Sequence, residues 1–482
     1  MSASRAIGPS PAARVWLAVR PYIRPRPRWR ELALLGIVGL ALVVGSLTLG
    51  TTLAVRAATD ATGAPPGSVG GLVGPARPGL LVIYLGALAL AHLVLVAVGR
   101  RTDQILLPTV GLLGGLSLLL MERLPQDLAG VLGGLAQTQL IWLLIGIGAL
   151  TAVGAGVRGD AWLRRYKYTW AAIGIGLLLL TFVLGREVNG QRLTLAIGPI
   201  SGQPTELLKV ILVVFLAGYL SENRSLLVEK SMRVGPFRLP PLPYLVPMVA
   251  MWTIALGIVV VQRDLGAALL IFAVFLLLLY IATARWGYVV VGLAAFVAGG
   301  GLLYAALGHV RTRIDIWLDP FSKAQNAGYQ VVQALHAFAR GGILGTGLGN
   351  GLPTLGGGLP GGIPELHTDF PFAALGEELG LIGVLAVLGL YLVVIERGLR
   401  IAAAAADEYR AILAAGLSLV VGVQAFIIAA GNLKLVPLTG ITLPFVSYGG
   451  SSLLANGLIV GLLLALSDRG VEPPPPPRVA RR

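Results

Sequence analysis

Residues 265–283 read LGAALLIFAVFLLLLYIAT, and this stretch decides the fold class because none of its side chains carries a charge. As an α-helix, an apolar run of this length spans the ~30 Å hydrocarbon core of a bilayer. Only a few polar residues separate it from two further apolar runs, at 244–261 and 286–307. The sequence therefore predicts consecutive antiparallel membrane helices.

Apolar runs of similar length recur along the chain. Of its 482 residues, 56% are hydrophobic and 12% are charged, and the mean hydropathy is +0.83. A typical soluble domain has roughly 25% charged residues, so several soluble domains are excluded. We predict an all-α polytopic membrane protein with about 12 transmembrane helices. The predicted spans cover residues 32–55, 79–99, 105–121, 139–157, 168–185, 206–220, 244–261, 265–283, 286–307, 371–395, 411–431 and 443–467.

Lysine and arginine set the predicted orientation, because cytoplasmic connections carry an excess of both. With the N-terminus inside, 25 of the 37 basic residues lie in inside segments and 11 in outside segments. Residues 1–31 and 468–482 are then basic cytoplasmic tails, and the N-terminal tail lacks the apolar core of a signal peptide. The long connection 308–370 lies outside, and its stretch Tyr329–Ala339 has the apolar spacing of a helix.

Several function classes find no support in the residue pattern. The net charge of +15 comes from dispersed residues, without the basic face that binds nucleic acid. The chain has no cysteine, which excludes disulfides and thiolate chemistry. No lysine stands in a Walker A loop, so no ATPase is indicated.

Glu206 and Lys209 stand near the start of the sixth predicted span, and an ionisable group at membrane depth, which costs about 2.5–3.5 kcal/mol at the centre of a helix, needs a reason. Positions i and i+3 share a helix face, so the two can form an internal ion pair. Alternatively, Lys209 binds an anionic head group while Glu206 orients it. Arg192 lies in the preceding connection, where it is either a head-group anchor or a ligand of a diphosphate together with Lys209 and the helix amides.

Asp369 has the most informative surroundings, in Pro364-Glu365-Leu366-His367-Thr368-Asp369-Phe370-Pro371 at the end of the long loop. In one interpretation, Asp369 or Thr368 caps the helix that begins at the proline. In the other, Asp369 is a general base at the membrane surface, with His367 and Glu365 beside it and a raised pKa. Further along, Glu377 and Glu378 each need a partner if buried, and we expect one to pair with a cation from another span. At the turn Gln262–Gly266, Asp264 is expected to cap the eighth span.

Four strings together resemble the SEDS family (shape, elongation, division and sporulation proteins) of RodA/FtsW/SpoVE-type polymerases, and in particular its RodA-like members. They occur in family order across residues 105–467: Asn189–Arg192 with Gln203–Lys209; Gln262–Gly266; the loop from Asp319-Pro320 to Phe370 with Gly376–Gly380; and Pro437–Ser452. The sequence departs from the usual family residues at four positions, which are Thr205, Ala267, Leu193 and Pro371. None of these departures removes one of the charged residues named above.

The resemblance implies a peptidoglycan glycosyltransferase that polymerises lipid II at the outer face of the cytoplasmic membrane, for cell elongation and shape or for division. The family core of ten helices corresponds to residues 105–467, so 32–99 form two extra N-terminal helices. Asp369 matches the family's essential acidic residue and takes the hydroxyl proton or holds a divalent cation (Mg²⁺ or Mn²⁺). Arg192 and Lys209 would stabilise the leaving diphosphate, with Glu206, His367, Glu365, Glu377 and Glu378 as further substrate-site candidates.

The resemblance also implies a partner, a class B penicillin-binding protein that supplies transpeptidase activity. Two alternatives are a lipid II flippase and a non-catalytic scaffold for the transpeptidase. A transporter is expected to place its key charges near the membrane midplane on broken helices, whereas Arg192, Lys209 and Asp369 cluster toward one surface.

Overall fold

The computed structural model describes residues 25–61, 77–124, 126, 134–188, 191–197, 200–229, 232–234, 237–239, 242–351 and 362–468. This part of the chain forms fifteen α-helices. In chain order they are α1 (Trp29–Ala61), α2 (Pro78–Val98), α3 (Leu106–Arg123), α4 (Leu135–Gly156), α5 (Ala161–Arg165), α6 (Lys167–Leu184), α7 (Pro204–Glu229), α8 (Leu242–Val261), α9 (Leu265–Thr283), α10 (Trp286–Ala306), α11 (Gly308–Leu318), α12 (Tyr329–Gly341), α13 (Pro371–Ala403), α14 (Glu408–Asn432) and α15 (Gly450–Leu466).

Among the described helices, ten are long and apolar enough to cross a membrane, namely α1 to α4, α6, α7, α9, α10, α13 and α14. These ten confirm the polytopic helical fold class. Helices α8 and α15 overlap the two remaining predicted spans, and the count of twelve stays a prediction.

The last predicted span, 443–467, begins too early. Helix α15 starts at Gly450, because the residues before it form a turn. In that turn the Ser447 amide donates to the Leu443 carbonyl (3.0 Å) and Phe445 has a φ of +63°. Apolar composition alone does not distinguish such a turn from the start of a helix.

Short strands connect some of the helices. Between α6 and α7, β1 (Arg186–Val188), β2 (Gln191–Ile197) and β3 (Ile200–Gly202) form an antiparallel sheet in the order β1-β2-β3. Between α7 and α8, β4 (Met232–Val234) pairs with β5 (Phe237–Leu239). The sheet joins the end of α6 to the start of α7, the helix that carries Glu206 and Lys209.

Hydrogen bonds at the two ends of the bundle agree with an antiparallel arrangement. At one end, Arg397 of α13 donates to Asp103 before α3 (2.8 Å from Nε), and Arg410 of α14 pairs with Asp160 before α5 (2.8 Å). At the other end, the Tyr448 amide before α15 donates to the His367 carbonyl before α13 (2.8 Å). The loops that carry the predicted site residues therefore meet at one end.

In its described part, the predicted loop 308–370 contains two α-helices, α11 and α12. The helix expected over Tyr329–Ala339 is confirmed as α12, which buries Val331, Val332, Ala334 and Ala337. Phe338 of α12 packs edge-on against Phe372 of α13, with ring centroids 5.9 Å apart. Much of the described loop thus packs on the helix that follows it.

Candidate active site

A cavity of about 460 Å³ opens where the ends of α4, α7, α9 and α14 meet the turns before α13 and α15. All four sequence strings that carry the family resemblance contribute lining residues. The charged side chains among them are Glu206, Lys209, Arg263, Asp264, Arg313 and Asp369. Residues that are far apart in sequence therefore form one charged site.

Lys209 lines this cavity, and its side chain is buried. Its Nζ lies 2.6 Å from Glu206 Oε2 and 2.7 Å from Gln424 Oε1 of α14. The ion pair expected from the i, i+3 spacing is confirmed, and Gln424 is a partner that the sequence did not indicate. Gln424 in turn donates to the Thr442 carbonyl (2.7 Å), which connects Lys209 to the turn before α15.

Asp264 caps α9 as predicted, because its side chain accepts a hydrogen bond from the Ala267 amide at 3.0 Å. Its carboxyl group also lines the cavity. Burial raises the pKa of Asp264 above its usual value; the Ala267 amide opposes this shift and the charge of Glu206 adds to it. Asp264 is thus a half-buried carboxyl group of the site, in addition to the buried Glu206.

Asp369 closes a tight turn in which its amide donates to the Glu365 carbonyl (2.9 Å). Helix α13 has Phe370 as its N-cap, with no side-chain capping bond. The interpretation of Asp369 or Thr368 as the helix cap is therefore wrong: Phe370 intervenes, and the half-buried Asp369 side chain lines the cavity.

The surroundings of Asp369 favour proton transfer near neutral pH. Burial, and then the charge of Glu365, raise the pKa of Asp369 to about 6, against the opposing effects of a Thr368 hydrogen bond and the Arg313 charge. The backbone is fixed as well, because Asn432 Nδ2 donates to the Asp369 carbonyl at 3.0 Å. A carboxyl group with this pKa is suited to general base catalysis.

Arg313 of α11 is a functional candidate that the sequence reasoning missed. Its Nη1 donates to the Thr439 and Leu438 carbonyls, at 2.8 and 3.2 Å. Burial lowers the pKa of Arg313, while Asp369 and Asp264 oppose the shift. The available signal was that the loop 308–370 carries four of the 11 basic residues on the predicted outside, where the charge rule expects few.

A second cavity, of about 200 Å³, lies on the other side of Asp369. Arg313, Asp369 and Gly440 line both cavities. The second cavity also has Trp317, Gln330 and Lys434 among its lining residues, and Trp317 is oriented by a hydrogen bond from its Nε1 to the Lys434 carbonyl (3.1 Å). Asp369 therefore stands at the border of two binding spaces.

Three further residues of the predicted site, His367, Glu365 and Arg192, are not among the described lining residues of either cavity. His367 packs against the ring of Tyr448 (centroids 5.5 Å apart), and its Nε2 is 3.9 Å from the largely exposed carboxylate of Glu365. Burial lowers the pKa of His367, against the effect of Glu365. Arg192 belongs to β2, and its side chain lies outside the described part of the structure.

Glu377 and Glu378 are buried on α13, away from the lining of both cavities. Glu378 pairs with Arg123 of α3 (2.6 Å), which confirms the expected pairing with a cation from another span. Glu377 pairs with Arg340 of α12 (2.8 Å). These contacts indicate a structural role for both carboxylates.

A divalent cation would need oxygen ligands. Within the described residues, no three or more His, Asp and Glu side chains come close enough to hold a metal ion together. The chemistry proposed below uses no metal ion.

Comparisons with known proteins establish the family of this chain. The sequence profile of the FTSW_RODA_SPOVE family, described as "Cell cycle protein", matches residues 104–470. The peptidoglycan glycosyltransferase RodA of Mycobacterium tuberculosis is 40% identical over 396 residues, which cover 81% of this chain and 83% of that protein. The probable peptidoglycan glycosyltransferase FtsW of Nitrosococcus halophilus is 38% identical over 358 residues, covering 72% and 86%.

One solved structure comes from work on the structural coordination of polymerization and crosslinking by a peptidoglycan synthase complex. It matches with a TM-score of 0.61 at 26% identity, covering 76% of this chain and 98% of that chain. The comparison extends the similarity from sequence to fold.

Proposed function

This chain belongs to the FTSW_RODA_SPOVE family and is a peptidoglycan glycosyltransferase, and we propose that it polymerises lipid II at Asp369. The observation that carries the proposal is the position of Asp369, with Arg313, at the border of two cavities. A polymerase joins two sugars, so it needs a donor site and an acceptor site that meet at the reacting groups.

The larger cavity suits the donor, whose sugar is linked to a diphosphate. Lys209, Arg263 and Arg313 line it, and fixed cations stabilise the charge that develops on a leaving diphosphate. Lys209 and Arg313 are held in place by their hydrogen bonds to Gln424 and to the carbonyls of 438 and 439. These cations are preorganised before the substrate enters.

The smaller cavity suits the acceptor sugar. Trp317 offers an apolar ring, and Gln330 offers amide groups for sugar hydroxyls. From there an acceptor hydroxyl would approach the anomeric carbon of the donor past Asp369. Its oxygen forms the new bond to that carbon as the carbon–diphosphate oxygen bond breaks, and the hydroxyl proton passes to the Asp369 carboxylate.

The location of the charges favours polymerisation over transport. Glu206 is in the first turn of α7, Asp264 caps α9, and Asp369 directly precedes the N-cap of α13. These charges stand at the starts of helices that are long and apolar enough to cross a membrane, as expected for a site near a membrane surface, whereas a flippase is expected to hold its charges near the midplane. A scaffold without activity would not need a carboxyl group with a raised pKa at the border of two cavities.

The protein is a multi-pass membrane protein, and the excess of basic residues supports the proposal that both termini are cytoplasmic and the site extracytoplasmic. A class B penicillin-binding protein is the proposed partner, supported by the similarity to a chain of a synthase complex that couples polymerization to crosslinking. A dependence on Mg²⁺ or Mn²⁺ stays a prediction, to be checked by assaying polymerisation with and without EDTA.

The test of the function is to incubate the purified protein and its transpeptidase partner with lipid II, and to measure both glycan chains and lipid II movement across vesicles. We expect chains from the wild type, none from Asp369→Asn, and no transport by either. Transport without chain formation would instead establish the flippase.

The two tryptophans that line the two cavities test the assignment of donor and acceptor. Trp317→Ala should raise the half-saturating concentration of a disaccharide acceptor that lacks the diphosphate by about threefold to tenfold. Trp142→Ala, on the donor side, should raise that of lipid II as donor instead. The opposite pattern would reverse the assignment.

A further inference from the structure

Helix α13 is broken close to the site. Gly380 has φ 65° and ψ −168°, so the half-helix of residues 371–379 is separate from the rest of α13. A break in a helix frees backbone donors and acceptors, and these are costly when no partner replaces them. The half-helix begins two residues after Asp369, so whatever holds it also influences the position of that carboxyl group.

The partners at the break come from residues 342–351, which we call the glycine segment. The amides of Thr346 and Gly347 donate to the carbonyls of Glu377 and Glu378, each at 2.9 Å. In return, the amides of Leu381 and Ile382 donate to the carbonyls of residues 342 and 343, at 2.9 and 3.2 Å. The glycine segment thus satisfies backbone groups on both sides of the break.

The far end of the glycine segment is tied to the same half-helix by an ion pair. Arg123 Nη1 lies 2.6 Å from Glu378 Oε1 and donates to the Gly351 carbonyl at 3.3 Å. The Gly351 amide also donates to Glu378 Oε1 (3.3 Å). Any shift of the glycine segment therefore acts on the half-helix through its backbone and through Glu378.

On its other side, the glycine segment rests on α1. A Cβ atom added at Gly349 would lie 2.9 Å from Leu49 Cδ1 and 3.3 Å from Thr52 Cγ2. One added at Gly45 of α1 would lie 3.5 Å from Leu348 Cδ1. Helix α1 ends before residue 104, so it lies outside the part of the chain that matches the family profile.

The opposite end of α1 is anchored by buried charges. Arg28 Nε lies 3.1 Å from Glu31 Oε1, and His92 Nδ1 of α2 is 2.7 Å from the same oxygen. Arg28 also donates to Thr102 Oγ1 (2.6 Å) and to the Asp103 carbonyl (2.6 Å), at the start of the family core. The position of α1 along the core is therefore fixed.

We propose that α1 is a positioning element for the transferase reaction, in which Leu49 supports the glycine segment and thereby holds the half-helix and Asp369 in place. The proposal rests on the proposed function only for its effect on catalysis. The support of the glycine segment by Leu49 has a readout of its own.

Leu49→Ala is compared with Leu42→Ala, a matched variant in the same helix. Both leucines are 2% exposed or less, but Leu42 faces α3, where a Cβ atom added at Gly115 would lie 2.2 Å from Leu42 Cδ1. Both variants leave a similar buried void and should lower Tm to a similar extent. Only Leu49→Ala removes support from the glycine segment.

The expected result for Leu49→Ala is hydrogen exchange at the Thr346 and Gly347 amides at least tenfold faster, with kcat about tenfold lower and KM within twofold. Leu42→Ala should leave the exchange rates, kcat and KM at the wild-type values. Leu49→Met, which keeps a large side chain at this position, should have wild-type values as well. Equal exchange and equal kcat in the two alanine variants would overturn the proposal.

The two failures are distinguishable. If only Leu49→Ala accelerates exchange but the wild type makes no glycan, the support is real and the proposed function is wrong. If Asp369→Asn abolishes polymerisation but the two leucine variants behave alike, the function stands and α1 has no positioning role.

Discussion

Asp369 is half-buried, and two neighbouring charges have opposite effects on the pKa of its carboxyl group. Glu365, four residues before Asp369 in the same turn, raises the pKa of the carboxyl group beyond the effect of burial, and Arg313 lowers it. The resulting value of about 6 leaves the carboxylate mostly ionised at neutral pH, while it still accepts a proton readily. The sequence predicted the residue and its raised pKa, but Arg313 comes from the other end of the loop, 56 positions away, and only the fold brings the two together.

The pH dependence of polymerisation follows from this arrangement. A general base must be ionised, so kcat/KM, which reports the free enzyme, should fall as the pH drops through about 6. Glu365→Gln removes a negative charge that raises the pKa, so the midpoint should move to lower pH. We would measure kcat/KM between about pH 4.5 and 8, with Asp315→Asn as control, because that carboxylate pairs with Lys323 instead (3.4 Å). A midpoint that stays in place or rises in Glu365→Gln would contradict this assignment.

At the level of elements, the break in α13 could not be read from the sequence. The string Gly376–Gly380 continues into an apolar run, and its hydropathy fits one uninterrupted span. The break depends on backbone pairing with the glycine segment, whose first and last residues lie 38 and 29 positions before Gly380 in the chain. Periodicity reports which face of a helix is apolar, but not which distant backbone replaces its hydrogen bonds.

Two glycines of α13 provide a matched test of the break. Gly380→Ala places a side chain at φ 65°, with its Cβ 2.3 Å from the Gly345 nitrogen, and should cost about 1–3 kcal/mol or more. Gly389→Ala, where a Cβ meets no atom within 4 Å, should be neutral or slightly stabilising. Thermal unfolding in detergent measures both, and equal Tm values would mean that the break is not required.

For the whole molecule, hydropathy predicted the membrane helices, and the orientation inferred from charge stays a prediction. Apolar runs located the membrane helices because a bilayer demands long apolar segments. The predicted start of the last span was too early because the turn at Leu443–Ser447 is as apolar as a helix. The family resemblance implied that Lys209 and Asp369 share the substrate site, but the place of Asp264 in the same cavity was not predicted, since local spacing carries no information about contacts between distant helices.

The orientation in the membrane can be measured directly, because the chain has no cysteine. Ser322→Cys adds an exposed thiol in the predicted outside loop, and Ala404→Cys adds one between α13 and α14, on the predicted inside. A membrane-impermeant maleimide should label the first in intact spheroplasts and the second only after permeabilisation. If only Ala404→Cys were labelled in intact spheroplasts, the topology would be the opposite of the predicted one.

The central claim is that Asp369, and not the Asp264 carboxyl group of the same cavity, takes the proton. The most direct measurement is the single-turnover rate of lipid II coupling by Asp369→Asn and Asp264→Asn, each with the transpeptidase partner. Asparagine also caps helices well, so Asp264→Asn should keep the rate within about tenfold, whereas Asp369→Asn should lose about 10²–10⁴-fold. Loss of coupling in Asp264→Asn with coupling retained in Asp369→Asn would contradict the account.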